Sequence, residues 1–185
     1  MHNIVVWGDS HIPYRAERLP NVFIEFLRNN SPQIIVCTGD LVVIDVLEQI
    51  KDLGSDMIVV RGNMDEGKAA KFPPERIFDV EGTGFYVYHG HGIYPRGDLP
   101  QLYRLAKKKN ADVLLTGHTH HPLIEKYKDI IIINPGSVCG VWGGGGGYGV
   151  PTWAIINVDA NSIKIKILES TNMDVKIYGE RSFEL

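Results

Sequence analysis

Seven side chains of metal-ligand type stand in five short blocks, each close behind an apolar run. Asp9 and His11 lie in Gly-Asp-Ser-His, Asp40 in Thr-Gly-Asp and Asn63 in Arg-Gly-Asn-Met-Asp. His89 lies in Tyr-His-Gly-His-Gly, and His118 and His120 in Gly-His-Thr-His. Carboxylate, amide and imidazole donors held on glycine turns suit a pair of divalent ions. Such a pair can activate water and clamp phosphoryl oxygens. Taken singly, a Gly-Asp or an Asp-x-His is an ordinary turn. Their joint occurrence, in order and after successive strand-like runs, is what points to a metal centre.

Those donors need elements to carry them. Residues 3–7, 34–37 and 57–60 are short, continuous apolar runs, the pattern of parallel strands buried on both faces. Between them the spacing predicts a helix over 16–29, with Pro20 in its first turn or at its true start, and another over 41–51. A hairpin is expected from 76–80 and 85–88, then a helix over 99–109 and a strand over 112–115. Paired strands at 122–127 and 130–133 follow. Strands at 152–158 and 162–168, and an edge strand over 174–178, complete the pattern. The order predicts an α/β fold: a four-layer α-β-β-α sandwich of two mixed sheets flanked by helices, in one domain over residues 1–185. The metals would sit at the C-terminal edge of the strands, where ligands of parallel sheets collect.

The spacing is chemically suggestive. Residues two apart in an extended segment face the same side, so Asp9 and His11 can converge on one ion. His118 and His120 repeat the interval. Two divalent ions outweigh Asp9, Asp40 and one hydroxide, so the centre keeps a positive surplus that attracts a phosphate group. Glycines 143–147 exclude regular structure and predict a mobile surface loop, with a rim over the site, shared with Trp142 and Tyr148, as the alternative.

Bulk composition narrows the function class. The chain has 185 residues, 44% hydrophobic and 22% charged, with a net charge of -3. No apolar run approaches the ~18 residues of a membrane span. The start, Met1-His2-Asn3, lacks the features of a secretory signal. Cys37 and Cys139 form no Cys-x-x-Cys pair, and Cys37 is expected to be a buried free thiol. These features fit a reducing cytoplasm. The acidic balance and absence of a basic stripe argue against a long nucleic acid as substrate. A homo-oligomer stays open.

The motif series resembles the calcineurin-like metallophosphoesterase superfamily. The likeness is to its small bacterial and archaeal phosphodiesterase branch, of which the retromer small subunit is a relative. It runs from Val5 through Asn134-Pro135-Gly136-Ser137 to the closing strands. The resemblance implies that Asp9, His11, Asp40 and His120 hold one ion. Asp40, Asn63, His89 and His118 would hold the other, with Asp40 bridging. It also implies in-line attack of a metal-bridging hydroxide on a phosphate ester. Manganese is the favoured metal, with iron, zinc, nickel or cobalt as alternatives. Asn63 would also contact phosphate, Asp65 would orient the ligand loops, and His91 is the residue to test as leaving-group acid or phosphate contact. Many superfamily phosphatases have a histidine directly after the Gly-Asn pair; Met64 stands there instead. That departure fits the phosphodiesterase branch and leaves the acid unassigned. Arg61 and Arg96 are candidate anion contacts.

The substrate expected is a small phosphodiester or nucleotide-like molecule, with no membrane partner. The competing reading is a non-catalytic or weakly catalytic scaffold that binds protein through Leu99, Leu102 and exposed tyrosines.

Overall fold

The computed structural model describes residues 1–53, 56–171 and 174–185. Strands β1 (His2–Trp7), β2 (Ile34–Cys37) and β3 (Asp56–Val59) run parallel, with Trp7, Cys37 and Val59 in one register. The three strands therefore end at the same level, and the loops that follow them emerge on one edge. β9 (Thr152–Val158), β10 (Ser162–Thr171) and β11 (Asp174–Glu184) extend this sheet antiparallel beyond β1.

A second sheet holds β4 (Glu75–Val80), β5 (Thr83–Tyr88), β6 (Val113–Leu115), β7 (Leu123–Tyr127) and β8 (Ile130–Asn134), in the order β4-β5-β6-β8-β7. Here β5, β6 and β8 are parallel, with Val87, Leu115 and Ile133 in register. The hairpin between β4 and β5 turns on Glu81 and Gly82, both at positive φ, the signature of a tight two-residue turn.

Alternation along the buried strands builds the layers. Val6, Val36, Val87, Leu115, Ile133 and Ile156 pack between the sheets. Their neighbours Val5, Trp7, Ile35 and Cys37 face outward and meet Phe23 and Leu27 of α1 (Asn21–Asn30). On the far side, Tyr86, Leu114 and Ile132 meet Leu102 and Ala106 of α2 (Leu99–Lys108). Strands covered on both faces carry no polar alternation, hence their uniformly apolar reading. α2 is capped by Asp98, whose Oδ1 accepts from the Gln101 amide at 2.9 Å. Leu102 is buried against the second sheet and Leu99 is half-buried there, so of the two expected docking residues Leu99 alone keeps exposed surface.

Pro20 marks the true start of α1, one of the two placements expected of it, and its carbonyl accepts from the Phe23 and Ile24 amides. The other predicted helix differs from expectation. The segment 41–51 forms a short 3-10 turn, Ile44–Gln49, instead of an α-helix. Val42 sits at φ 77, a strained value for a β-branched residue. Its amide is taken by Asp65 Oδ1 at 2.8 Å, so the backbone serves the site at the expense of the helix. Both cysteines are free, and Cys37 is fully buried. Among the described residues no helix is long and apolar enough to cross a membrane.

Candidate metal centre

The aligned ends of the two sheets face each other, and the seven predicted donors gather there. Asp9 and His11 follow β1, Asp40 follows β2 and Asn63 follows β3; His89 follows β5, and His118 and His120 follow β6. Two compact groups result: Asp9 with His11 and His120, and Asp40 with His89 and His118, the ligand atoms within each lying within 4.8 Å of one another. His11 Nε2 and His120 Nε2 are 3.1 Å apart. Two donors on one ion with ~2.1 Å metal–nitrogen bonds sit at roughly that separation. Asp40 Oδ2 lies 3.2 Å from His89 Nε2 and 3.5 Å from His11 Nε2, between the groups. Asp9 Oδ1 lies 3.3 Å from His120 Nε2. Asn63 lines the same cavity of about 110 Å³, at its mouth, with its side chain exposed.

Convergence is achieved differently from the expected extended alternation. Asp9, His11, Asp40, His118 and His120 all have φ between 50° and 68°. Left-handed backbone at a non-glycine residue costs about 1 kcal/mol or more, so five such residues together need strong support. The paired histidines also divide: His120 joins the first group and His118 the second.

Support comes from hydrogen bonds around the donors. Asp65 accepts from three amides: Asp40 at 3.1 Å, Val42 at 2.8 Å and Gly62 at 2.6 Å. It thus ties the loop after β2 to the loop after β3. Asp40 Oδ1 accepts from the Met64 amide at 2.7 Å, and Gly62 is small because a Cβ there would run into the Asp40 carboxylate. The Asn134-Pro135-Gly136-Ser137 block braces both edges. Ser137 Oγ donates to the Asp9 carbonyl at 2.7 Å, and Asn134 Nδ2 donates to the Gly117 carbonyl at 2.8 Å.

Nδ1 of His89 lies 2.8 Å from the Thr38 carbonyl, and Nδ1 of His120 lies 2.7 Å from that of Val141. Each Nδ1 must carry a proton to donate, which leaves Nε2 as the ligating nitrogen. Sequence reading gave no sign of these carbonyl partners.

The donor set fits divalent cations. Asp9 Oδ1 and His89 Nε2 are buried and make no directed hydrogen bond. Native interiors rarely tolerate such atoms without a further partner. Burial lowers His11 and His118 to about 4 each, so both stay neutral and ready to ligate. Burial also opposes charge on His89, but contact with Asp40 and the charges of Asp9 and Asp40 outweigh it and raise His89 to about 9. His120 is likewise raised: burial opposes it, and Asp9 prevails. Asp40 is lowered to about 2, because His89, the Met64 amide and His11 outweigh the cost of its burial. Without cations, a proton on His89 thus sits beside the Asp40 carboxylate. Metal binding must displace it.

Arg15 and Arg96 also line the cavity, together with Gly143 and Gly144. Arg15 was not foreseen; its only sequence signal is closeness to His11, whose carbonyl accepts the Arg15 amide at 2.8 Å. Its guanidinium donates to the Trp142 carbonyl at 2.7 Å and lies 4.1 Å above the Trp142 ring. The glycine run is therefore a rim laid onto the site, which corrects the expectation of a free loop. A Cβ at Gly143 would stand 2.7 Å from the His120 ring, and one at Gly144 2.6 Å from the Arg96 guanidinium. Glycine there permits the close approach. Arg61 instead donates to the Ala70 carbonyl at 3.3 Å and does not line the cavity. His91 is exposed with its ring 5.7 Å from that of His89, and it too stands outside the cavity wall.

Comparison with known proteins agrees with this geometry. The calcineurin-like phosphoesterase superfamily domain matches residues 2–161. A probable metallophosphoesterase of Methanothermobacter thermautotrophicus is 38% identical over 134 residues, spanning 72% of this chain and 76% of that protein. In structure, Vacuolar Protein Sorting 29 from Cryptosporidium parvum superposes with a TM-score of 0.90 at 21% identity, over 100% of this chain and 98% of that one. A novel archaeal phosphodiesterase superposes with a TM-score of 0.68 at 21% identity, over 99% of each chain. At those identities the two structures speak for the fold alone. The domain match and the methanogen relative carry the assignment: this chain belongs to the calcineurin-like phosphoesterase superfamily.

Proposed function

We propose that this protein is a phosphodiesterase that works with two divalent metal ions, manganese first among them. One observation carries the reading. Two donor groups share the region of Asp40, hold buried donor atoms that make no directed hydrogen bond, and open beneath Arg15 and Arg96. When bound, such ions supply Lewis acidity and lower the pKa of water held between them.

The chain's own residues do the rest. Asp9, His11, Asp40 and His120 would hold one ion, and Asp40, Asn63, His89 and His118 the other, with Asp40 shared. Asn63 is placed at the mouth, where its amide nitrogen can donate to a phosphoryl oxygen. Asp65 is a positioning residue that keeps Asp40 and the loop of Asn63 in place. Arg15 and Arg96 attract the anion. His91 would contact the leaving group or the phosphate from outside the cavity wall. We read residues 1–185 as one working domain, acting in a reducing cytoplasm to which its two free thiols are suited.

The test is hydrolysis of a chromogenic phosphodiester by purified protein loaded with Mn(II). Turnover is expected in wild type and not in Asp40→Ala. Protein shown to hold two ions yet inert on diesters and monoesters with each divalent metal would refute the reading.

A second reading, a protein-binding scaffold, draws on the fold shared with Vacuolar Protein Sorting 29. Exposed Tyr94 and Trp142 give it a surface. A scaffold would keep its partner in Asp40→Ala and Asn63→Ala, whereas an esterase would lose its turnover.

A further inference from the structure

Beside the metal cavity lies a second one of about 260 Å³, and Arg96 is a wall of both. Their linings differ in chemistry. Around the metal cavity the side chains are carboxylate, imidazole, guanidinium and the Asn63 amide, with Met64 as an apolar neighbour. The neighbouring cavity is walled by Leu102 of α2, Pro122 and Leu123. Its polar groups are largely engaged already. Asn134 Nδ2 donates to Gly117 and Thr119, Asn134 Oδ1 accepts from the Gly136 amide, and the Thr116 hydroxyl donates to the His89 carbonyl. The Thr119 hydroxyl is engaged too, accepting from Asn134 Nδ2 and the His121 amide and donating to the His121 carbonyl, so among the described lining residues Arg96 and the exposed His121 are the side chains with polarity left to offer. Space is sufficient, since an apolar cavity of ~150 Å³ already accepts benzene. A wider groove of about 810 Å³, over α1 and Pro151, shares no wall with the metal cavity.

We infer that this second cavity receives one organic arm of the substrate, an apolar ring-sized group, while Arg96 on the shared wall holds the attached phosphoryl group. The substrate class is then a phosphoester with an aryl or comparably flat apolar substituent. This rests on the phosphoesterase reading above. Satisfied polar groups in the wall give no reward to a sugar-like or charged arm, because its hydroxyls would lose water without replacement. A flat ring loses nothing polar and gains burial.

Binding of phenylphosphonate and methylphosphonate to Mn(II)-loaded protein, followed by titration calorimetry, tests this without turnover. Phenylphosphonate should bind at least about tenfold tighter, the discrimination one added apolar group gives in a fitted pocket. Leu123→Trp, which fills the cavity from a half-buried position on β7, should abolish the preference and leave methylphosphonate binding and metal content unchanged. His121→Trp narrows the cavity from an exposed position and serves if Leu123→Trp does not fold. Arg96→Gln should weaken both phosphonates by a similar factor. Equal affinities in wild type, or a phenyl preference that survives both tryptophans, would overturn the inference and leave the phosphoesterase reading standing. If the loaded protein bound neither phosphonate, both would fall.

Discussion

The two sheet edges that build the centre are unlike in chemistry. The edge of β1, β2 and β3 delivers both carboxylates, Asp9 and Asp40, with His11 and Asn63; the edge of β5 and β6 delivers only imidazoles. Neither edge holds a complete site. Each donor group takes members from both: Asp9 and His11 meet His120, and Asp40 meets His89 and His118. Carboxylates on one sheet alone would repel each other. Imidazoles facing them supply neutral donors, or protons while cations are absent. A bound ion would therefore also be a staple between the sheets.

Removing the shared carboxylate should have the largest effect. Asp40→Ala is expected to lower turnover at least about a thousandfold, since on the proposed reading this carboxylate would serve both ions and its loss would leave neither fully held. Diester hydrolysis alongside metal content by mass spectrometry will show it. Retained activity would mean the two edges do not share a centre.

Next is the staple itself. Metal-loaded protein should melt well above metal-stripped protein: at metal concentrations about a thousandfold over Kd the gain is about 4 kcal/mol, or roughly 8–16 °C for a chain this long. The pH dependence has a definite sign. His89 is raised from 6.5 to about 9, so the stability its charged form contributes to stripped protein is complete below pH 6.5 and lost as pH rises through about 9. Loaded protein, with His89 neutral and ligating, should show no such loss. Thermal melts of both forms across pH 6–9.5 measure it, and parallel curves would argue against the staple.

A smaller effect is expected from Asp65→Ala, which strips the amides of Asp40, Val42 and Gly62 of their acceptor. Losing a partner that orients a ligand costs about 10–100-fold in metal affinity. Calorimetric titration with Mn(II) gives the number, and affinity for methylphosphonate should fall with it.

The smallest concerns the rim. Gly144→Ala places a methyl against the movable end of Arg96. It should change kcat/KM for a diester by only a few-fold, within the few tenths to ~1 kcal/mol expected when a long side chain can give way. Metal affinity should stay as it was. A large loss of metal would mean that the rim carries the centre and does not merely border it.

Much of this was legible in the chain. The short apolar runs at 3–7 and 34–37 could be read as buried parallel strands because both faces of each are covered, by the facing sheet and by α1. The donors could be found because each follows a strand at the shared edge. The helix over 41–51 was misread: its apolar spacing is real, and Val42, Val46 and Ile50 are buried. Asp65, over twenty residues away, accepts from the amides of Asp40 and Val42 and holds both residues at positive φ, a backbone that an α-helix cannot include. The glycine run was misjudged for a similar reason. Composition reports freedom of the backbone, but not that His120 and Arg96 would lie directly against it.

Donor identity and order, strand periodicity and the absence of a membrane-length apolar run are local properties, and the amino-acid sequence determined them unaided. Which histidine joins which carboxylate, which nitrogen faces inward, and that Arg15 and Arg96 flank one opening were decided only when two sheets packed face to face. The reason is distance along the chain. Asp9 and His120 are more than a hundred residues apart, and their 3.3 Å approach depends on every strand between them holding register.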